Sequence, residues 1–466
     1  MKLKSIGLIV FVIAALVFLS VKLSAIGYSA SDENTYYKMG EMVSEGKMPY
    51  KDFFFAHPPL QIYLYAVVFM LFGFNIGVLK FLSAIAAVVT AYYIFKLLNE
   101  KSEAAGMIGT VLFFFSHSVL LFTSFPTGTE FVMMFSMAGF YYFHKKKSVK
   151  SGLLFGIGAL TGLLALIPFA VISVWLFIRN LNELRKFLTA FLAVFVIVNA
   201  FFVIISKGAY ITQIITYNLL KPEGVMDKSA LISRVIGKNW LILAAAATAV
   251  FAKGKFSSRV AVPLFIVIAY AAAFTFMKTI FDYYSLAVVP FLAVLAGQGL
   301  AGTMQSFRLK KFFAYPAIAI VILVISYFNY SDFSSNDTYD FETAREIAKF
   351  VEENSDKNEL IFGEDATTPL ISLLSRRDIA LDFVDSNDLR FRTGLEDSEK
   401  TLTELKENLR FFIVRRLNFG EGVKLTYGLT TLPEFDLFLK EECEVAKKFE
   451  TPWNGKMKEY YVYDCD

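Results

Sequence analysis

Apolar runs of about 20 residues recur along the first 330 positions of this chain, separated by short charged segments. A helix rises about 1.5 Å per residue, so ~17–25 apolar residues suffice to cross the hydrocarbon of a bilayer. The runs fall at 5–27, 77–98, 104–122, 129–143, 151–165, 167–178, 187–205, 239–252, 260–277, 283–301 and 312–329. Hydrophobic residues make up 56% of the chain, above the roughly 45–50% of soluble domains. The expected fold class is therefore a polytopic α-helical membrane protein with about 11 transmembrane helices. The first run follows a basic start at Lys2 and Lys4 but is longer than a signal-peptide core and lacks a small-x-small cleavage site, so it reads as a membrane helix. Lys22, near its outer end, is placed to snorkel to the interface.

Charge in the connections sets the orientation. With the N-terminus inside, the inner connections carry Lys96 and Lys101; Lys145–Lys147 and Lys150; Arg179, Arg185 and Lys186; Lys253, Lys255 and Arg259; and Arg308, Lys310 and Lys311. Every one is basic, as the positive-inside rule requires. The apolar segment His57–Gly73 opens on Pro58-Pro59, which suits a helix start. Counting it as a span would invert all later loops, so it reads as re-entrant or interfacial; Glu33–Gly46, of mixed polar and apolar residues, is a second candidate interfacial helix. The expected localisation is the plasma membrane, multi-pass, with a cytoplasmic N-terminus and an extracytoplasmic C-terminal domain.

Composition shifts near Tyr330, which divides a membrane domain (1–330, with a long first outer loop at 28–76) from a charged tail (331–466). In the tail, Phe341, Ala344, Ile347, Ala348 and Val351 share one helical face. Strand-like runs at Glu359–Phe362, Ile379–Phe383, Phe411–Val414 and Tyr460–Tyr463 are interleaved with helical patterns at Thr368–Leu374 and Ser398–Leu409, predicting a small α/β domain of βαβ type. Cys443 and Cys465 both lie there, where an oxidising compartment would allow a disulfide.

The first outer loop carries the most chemistry. Asp32-Glu33 follow the first helix closely, and ionisable groups near the hydrocarbon boundary tend to be functional; the plain alternative is that Asp32 caps the next helix. After them come Gly46, Pro49-Tyr50 and Asp52, then His57-Pro58-Pro59, then Leu71-Phe72-Gly73. This ordered set resembles the GT-C glycosyltransferases, in particular the protein O-mannosyltransferase and lipid A aminoarabinose transferase superfamily. Asp282-Tyr283-Tyr284 through Pro290 is similar to a segment opening a late helix in that superfamily, although Asp282 stands where a basic residue is usual. A second departure is Gly158 to Gly162 and beyond, which lacks the lysine often found there.

The resemblance implies an inverting transferase that moves a sugar from a polyprenyl-phosphate donor of dolichyl type to a protein, lipid or glycan acceptor on the outer face. Asp32 would be the base, because an acceptor hydroxyl is a weak nucleophile until a carboxylate takes its proton, with Glu33 in support. Glu130 fits the second acid of the superfamily, or equally a helix N-terminal acid favoured by the dipole. The second outer segment, Ser206–Lys238, is basic for its side; Arg234, with fork geometry suited to phosphate, and then Lys221 are the donor-phosphate candidates. His57, Tyr50, Asp282 and Tyr283 would line the donor or acceptor pocket. No cofactor is required by the sequence; a divalent cation, Mg or Mn, held by Asp32, Glu33 and Glu130 is compatible with these carboxylates. The partners expected are the lipid-linked donor, the acceptor and membrane lipids, with no nucleic acid. No phosphate-cradling Gly-rich loop with Lys occurs. The competing classes are a secondary transporter or lipid flippase, for which internal repeats and mid-membrane charges would be expected, and a catalytically silent scaffold of the same fold.

Overall fold

The computed structural model describes residues 4–24, 31–222, 227–251, 258–306, 327–331, 340–406, 409–418, 424–426, 428–453 and 456–465. Helix forms within each apolar run that lies in these residues. In chain order the first ten helices are α1 (Lys4–Ser24), α2 (Asp32–Ser44), α3 (Leu60–Phe72), α4 (Ile76–Asn99), α5 (Glu103–Phe114), α6 (His117–Phe122), α7 (Thr129–His144), α8 (Ser148–Thr161), α9 (Leu166–Arg179) and α10 (Leu181–Ile205). Later apolar helices span Trp240–Phe251, Ser258–Phe276 and Val289–Ser306. Among the described residues, four helices are long and apolar enough to cross a membrane alone, or five if the pair Lys228–Lys238 and Trp240–Val250, bent by 77°, counts as one span. The remaining apolar helices described are shorter, of 10–17 residues. The expected span 104–122 is in fact two helices: α5 ends at Phe114 with Phe115 as its C-cap, and Ser116 restarts the chain in extended conformation as the N-cap of α6. The expected span 283–301 begins as a 3₁₀ turn, Asp282–Ala287, before its α-helix. The run 312–329 lies largely outside the described residues.

Packing divides the chain into two compact units. The first comprises Met1–Ile26, Ile76–Ala200 and Glu223–Asn336; the second comprises Gly27–Asn75, Phe201–Pro222 and Asp337–Asp466.

In the first unit, small residues let helices approach closely. Ala105 and Gly109 on α5 face Ala293 and Gly297 on Val289–Ser306; a Cβ on Gly297 would stand 2.6 Å from the Ala105 carbonyl, and one on Gly109 would stand 2.9 Å from that of Ala293. This is the small-xxx-small contact by which apolar helices gain van der Waals packing without needing a hydrophobic drive. Two of the basic connections meet: Glu100 pairs with Arg259 at 2.7 Å and also with Lys145. Lys22, expected to snorkel outward, is instead buried, and its Nζ donates to Ser124 Oγ at 2.7 Å and to the Leu120 carbonyl. A buried ammonium must be solvated by protein oxygens, and the end of α6 supplies them.

In the second unit the tail forms a sheet in the order β1-β2-β5-β4, with β3 also on β2: β1 (Leu360–Gly363), β2 (Leu409–Asn418), β3 (Lys424–Thr426), β4 (Glu444–Trp453) and β5 (Lys456–Asp464). Among the described strands, β1 and β2 are the parallel pair, joined through helices, as expected for a βαβ unit. Phe362, Phe412, Phe435 and Phe438 fill one core. Cys443 and Cys465 are bonded. The expected strand Ile379–Phe383 does not form: Ile379 makes one bridge to Ile361, then Leu381 and Asp382 take positive φ (59° and 53°) within a 3₁₀ turn. That left-handed backbone cannot continue a strand. Lys47 anchors the turn, its Nζ 2.5 Å from Asp382 Oδ1.

Candidate functional site

The second unit assembles a site from three stretches far apart in sequence. Ser31 is extended and is the N-cap of α2, so Asp32 occupies the first helical turn and is exposed, while Glu33 behind it is fully buried. Asp32 is thus not the capping residue. The next two side chains fasten this turn to the loop after β1: Asn34 Nδ2 donates to the Ala366 carbonyl and Thr35 Oγ1 to the Asp365 carbonyl, each at 2.6 Å. Gly363 makes that loop feasible. Its φ is +147°, and a Cβ there would lie 2.1 Å from the Ile413 carbonyl, so no other residue fits.

The second stretch is the Pro49–Pro59 loop. Tyr50, buried and at φ +69°, donates from its hydroxyl to the His57 carbonyl at 2.6 Å. His57 Nε2 lies 3.1 Å from the Tyr36 hydroxyl. Burial, and then the charge of Lys221, push the His57 imidazole down to about 3, so it is neutral at physiological pH.

The third stretch, 209–220, is irregular helix with a π turn at Thr212–Thr216. Gln213 accepts from Phe55 N–H at 2.8 Å and donates to the Tyr50 carbonyl at 3.2 Å; Asn218 donates to the Ala56 carbonyl at 3.2 Å. These amides hold the Pro49–Pro59 loop against the segment that ends in Lys221. Lys221 stacks over Tyr217, 4.5 Å from the ring centroid. Burial lowers its ammonium, opposed by the carboxylates of Asp385 and Asp32.

The sequence-predicted residues Asp32, Glu33, Tyr50, His57 and Lys221 therefore belong to this one unit. Sequence reasoning missed its contributions from the tail. Asp365 is held well above the usual carboxylate range by removal from water and then by Glu364, Asp385 and Asp32, against Arg415. Glu364 pairs with Arg415 at 2.6 Å. Arg390 lies over Phe54 and Phe383, 4.2 Å and 3.6 Å from the ring centroids. A local signal existed: Glu364-Asp365 stand just beyond the carboxyl end of a parallel strand, where open α/β sheets place ligands.

The other expected residues lie in the first unit. Arg234 and Asp282 line one polar cavity of about 220 Å³ with His117, Lys238 and Asn239. An apolar cavity of about 300 Å³, lined by Leu231, Ile236, Phe274 and Val288 among others, shares Val235, Asn239 and Asp282 with it. Asn239 sits at the 77° bend and bonds Ser118, whose hydroxyl meets Ser285 at 2.7 Å. Tyr283 stacks on Phe281. Lys228 is engaged by the carbonyls of Thr275 and Met277, at 2.7 Å and 2.5 Å. Glu130 is buried in the first turn of α7 and accepts from Thr127 N–H at 3.3 Å. Among the described residues, no three His, Cys, Asp or Glu side chains are grouped to hold a metal ion.

No protein-family model and no curated protein sequence matches the chain. Solved structures do. ArnT from Cupriavidus metallidurans in the apo state superposes with a TM-score of 0.70 at 13% identity, over 99% of this chain and 98% of that one. The same protein bound to undecaprenyl phosphate gives 0.68 at 13% identity, over 98% and 97%. The archaeal oligosaccharyltransferase AglB from Archaeoglobus fulgidus, in complex with an inhibitory peptide and a dolichol-phosphate, gives 0.61 at 12% identity, over 92% of this chain and 75% of that one. The apolar helices, the α/β tail and these end-to-end superpositions together identify the architecture as the GT-C fold of multi-pass membrane proteins.

Proposed function

We propose that the chain is an inverting glycosyltransferase that moves a sugar from a polyprenyl-phosphate donor to a hydroxyl acceptor outside the cytoplasm. The observation that carries the reading is the grouping of an exposed carboxylate, Asp32, with a cation, Lys221, and a neutral His57 at the end of a buried helix. Asp32 takes the acceptor's proton as its oxygen bonds to the anomeric carbon. The bond from that carbon to the phosphate oxygen breaks, and the polyprenyl phosphate departs with the electron pair. A cation at the departing oxygen stabilises charge that develops only in the transition state.

Two cations compete for that role. Lys221 shares a unit with Asp32; Arg234 lines a polar cavity that continues into an apolar one, the profile of a phosphate with a prenyl chain. Substitution separates them: the residue that holds the phosphate raises the donor KM about tenfold when replaced by methionine. The test of the whole reading is stereochemical. Given a donor of known anomeric configuration, NMR of the product should show the opposite configuration. Retention would exclude direct attack by a hydroxyl activated at Asp32.

A further inference from the structure

We propose that the tail is a working part of the reaction site: its loop Gly363–Thr367 positions Asp32 through Asn34 and Thr35. The inference rests on the reading of Asp32 as the base and adds residues to it. Asn34 is fully buried and Thr35 is 6% exposed, and each spends its side-chain donor on a tail carbonyl at 2.6 Å. Both lie within one helical turn of Asp32, so the direction in which α2 presents that carboxylate is fixed by the tail. A buried donor deprived of its acceptor costs more than the bond itself contributes, which makes the two bonds a firm register for the turn.

The same loop brings its own carboxyl toward the base. Asp365 is faced by Glu364 on its loop, by Asp385 and Asn387 from the following segment, by Arg415 from β2 and by Asp32 from α2. Lys221 in turn faces Asp32 and Asp385. The orientation of the Asn387 amide is settled: its Oδ1 accepts from Leu389 N–H at 3.0 Å, so its Nδ2 donates to Asp365 Oδ2 at 3.1 Å. Asp365 Oδ2 is then the acceptor of that bond. Each carboxyl feels the other's charge, and that coupling reports whether α2 and the loop are in register.

The experiment uses the full chain in detergent, with two readouts. In pH-titrated infrared spectra, a protonated carboxyl should persist above the ordinary carboxylate range and vanish in Asp365→Asn. In Asp32→Asn its midpoint should fall by about one pH unit, the scale of one neighbouring charge. An unmoved midpoint would overturn the juxtaposition whatever the enzyme's activity. In transfer assays, Thr35→Val keeps the shape and removes the donor; kcat should fall about ten- to a hundredfold with donor KM unchanged, and Thr35→Ser should restore it. Wild-type turnover in Thr35→Val, in a protein that Asp32→Asn inactivates, would refute positioning by the tail. Wild-type turnover in Asp32→Asn would instead refute the base.

Discussion

Replacing Asp32 by asparagine removes one proton acceptor and little else. The side chain keeps its size, and the cap of α2 is Ser31, so no capping bond is lost. What the fold loses is the attraction of an exposed carboxylate for the helix N-terminus, a few tenths of a kcal/mol, and for Lys221. It gains relief of the repulsion between Asp32 and Asp365. Thermal stability should therefore stay within about 2 °C of wild type. Activity should not: a positioned base contributes about 10²–10⁴-fold, or about 2.7–5.4 kcal/mol of barrier. Single-turnover transfer from a labelled donor, with matched melting curves, measures both. A folded Asp32→Asn protein with wild-type turnover would refute the assignment. Glu33→Gln, behind the base, should lose less activity.

Four further outcomes follow from the geometry. Gln213→Ala removes two bonds and leaves the Phe55 N–H without its acceptor, so the second unit should lose about 2–4 kcal/mol in denaturant unfolding. The His57 imidazole lies at about 3 in the fold against 6.5 unfolded; the unfolded chain binds the extra proton between these values, so stability is level above pH 6.5 and falls as pH drops toward 3. His57→Gln should flatten that slope by one proton. Breaking Cys443–Cys465, which closes a loop of 22 residues, should cost the tail about 3 kcal/mol, measured by proteolysis of the Cys443→Ser, Cys465→Ser double variant. A cysteine introduced at Lys146 should resist impermeant reagents in intact cells, and one at Lys357 should react; the reverse would invert the orientation read from loop charge.

Much of the fold was legible because membrane helices announce themselves by unbroken apolar length, and α2 and α3 by the polar and Pro-Pro signals at their starts. Where the reading failed, backbone detail decided. Nothing in Phe115-Ser116 forbids a continuous helix, yet the chain breaks there. The Ile379–Phe383 run looks like a strand until the positive φ of Leu381 and Asp382 is known. Strand β4 was hidden because Lys447, Lys448 and Glu450 interrupt its apolar alternation. The candidate site was half legible. Asp32, His57 and Lys221 are chemically conspicuous, whereas Gln213, Asn218 and Asp365 meet the rest of the site across separations of 158, 162 and 330 positions that no local pattern encodes.

The proposed reaction cleaves a sugar from a lipid phosphate and gives it to a hydroxyl. The most direct measurement supplies purified protein in liposomes with a polyprenyl-phosphate sugar labelled in the sugar, together with a hydroxyl acceptor, and follows where the label goes. Label should appear in a water-soluble or acceptor-bound product with stoichiometric release of polyprenyl phosphate, and both should be lost in Asp32→Asn. Intact labelled lipid that merely changes leaflet, equally well in Asp32→Asn, would contradict that reaction and identify a flippase.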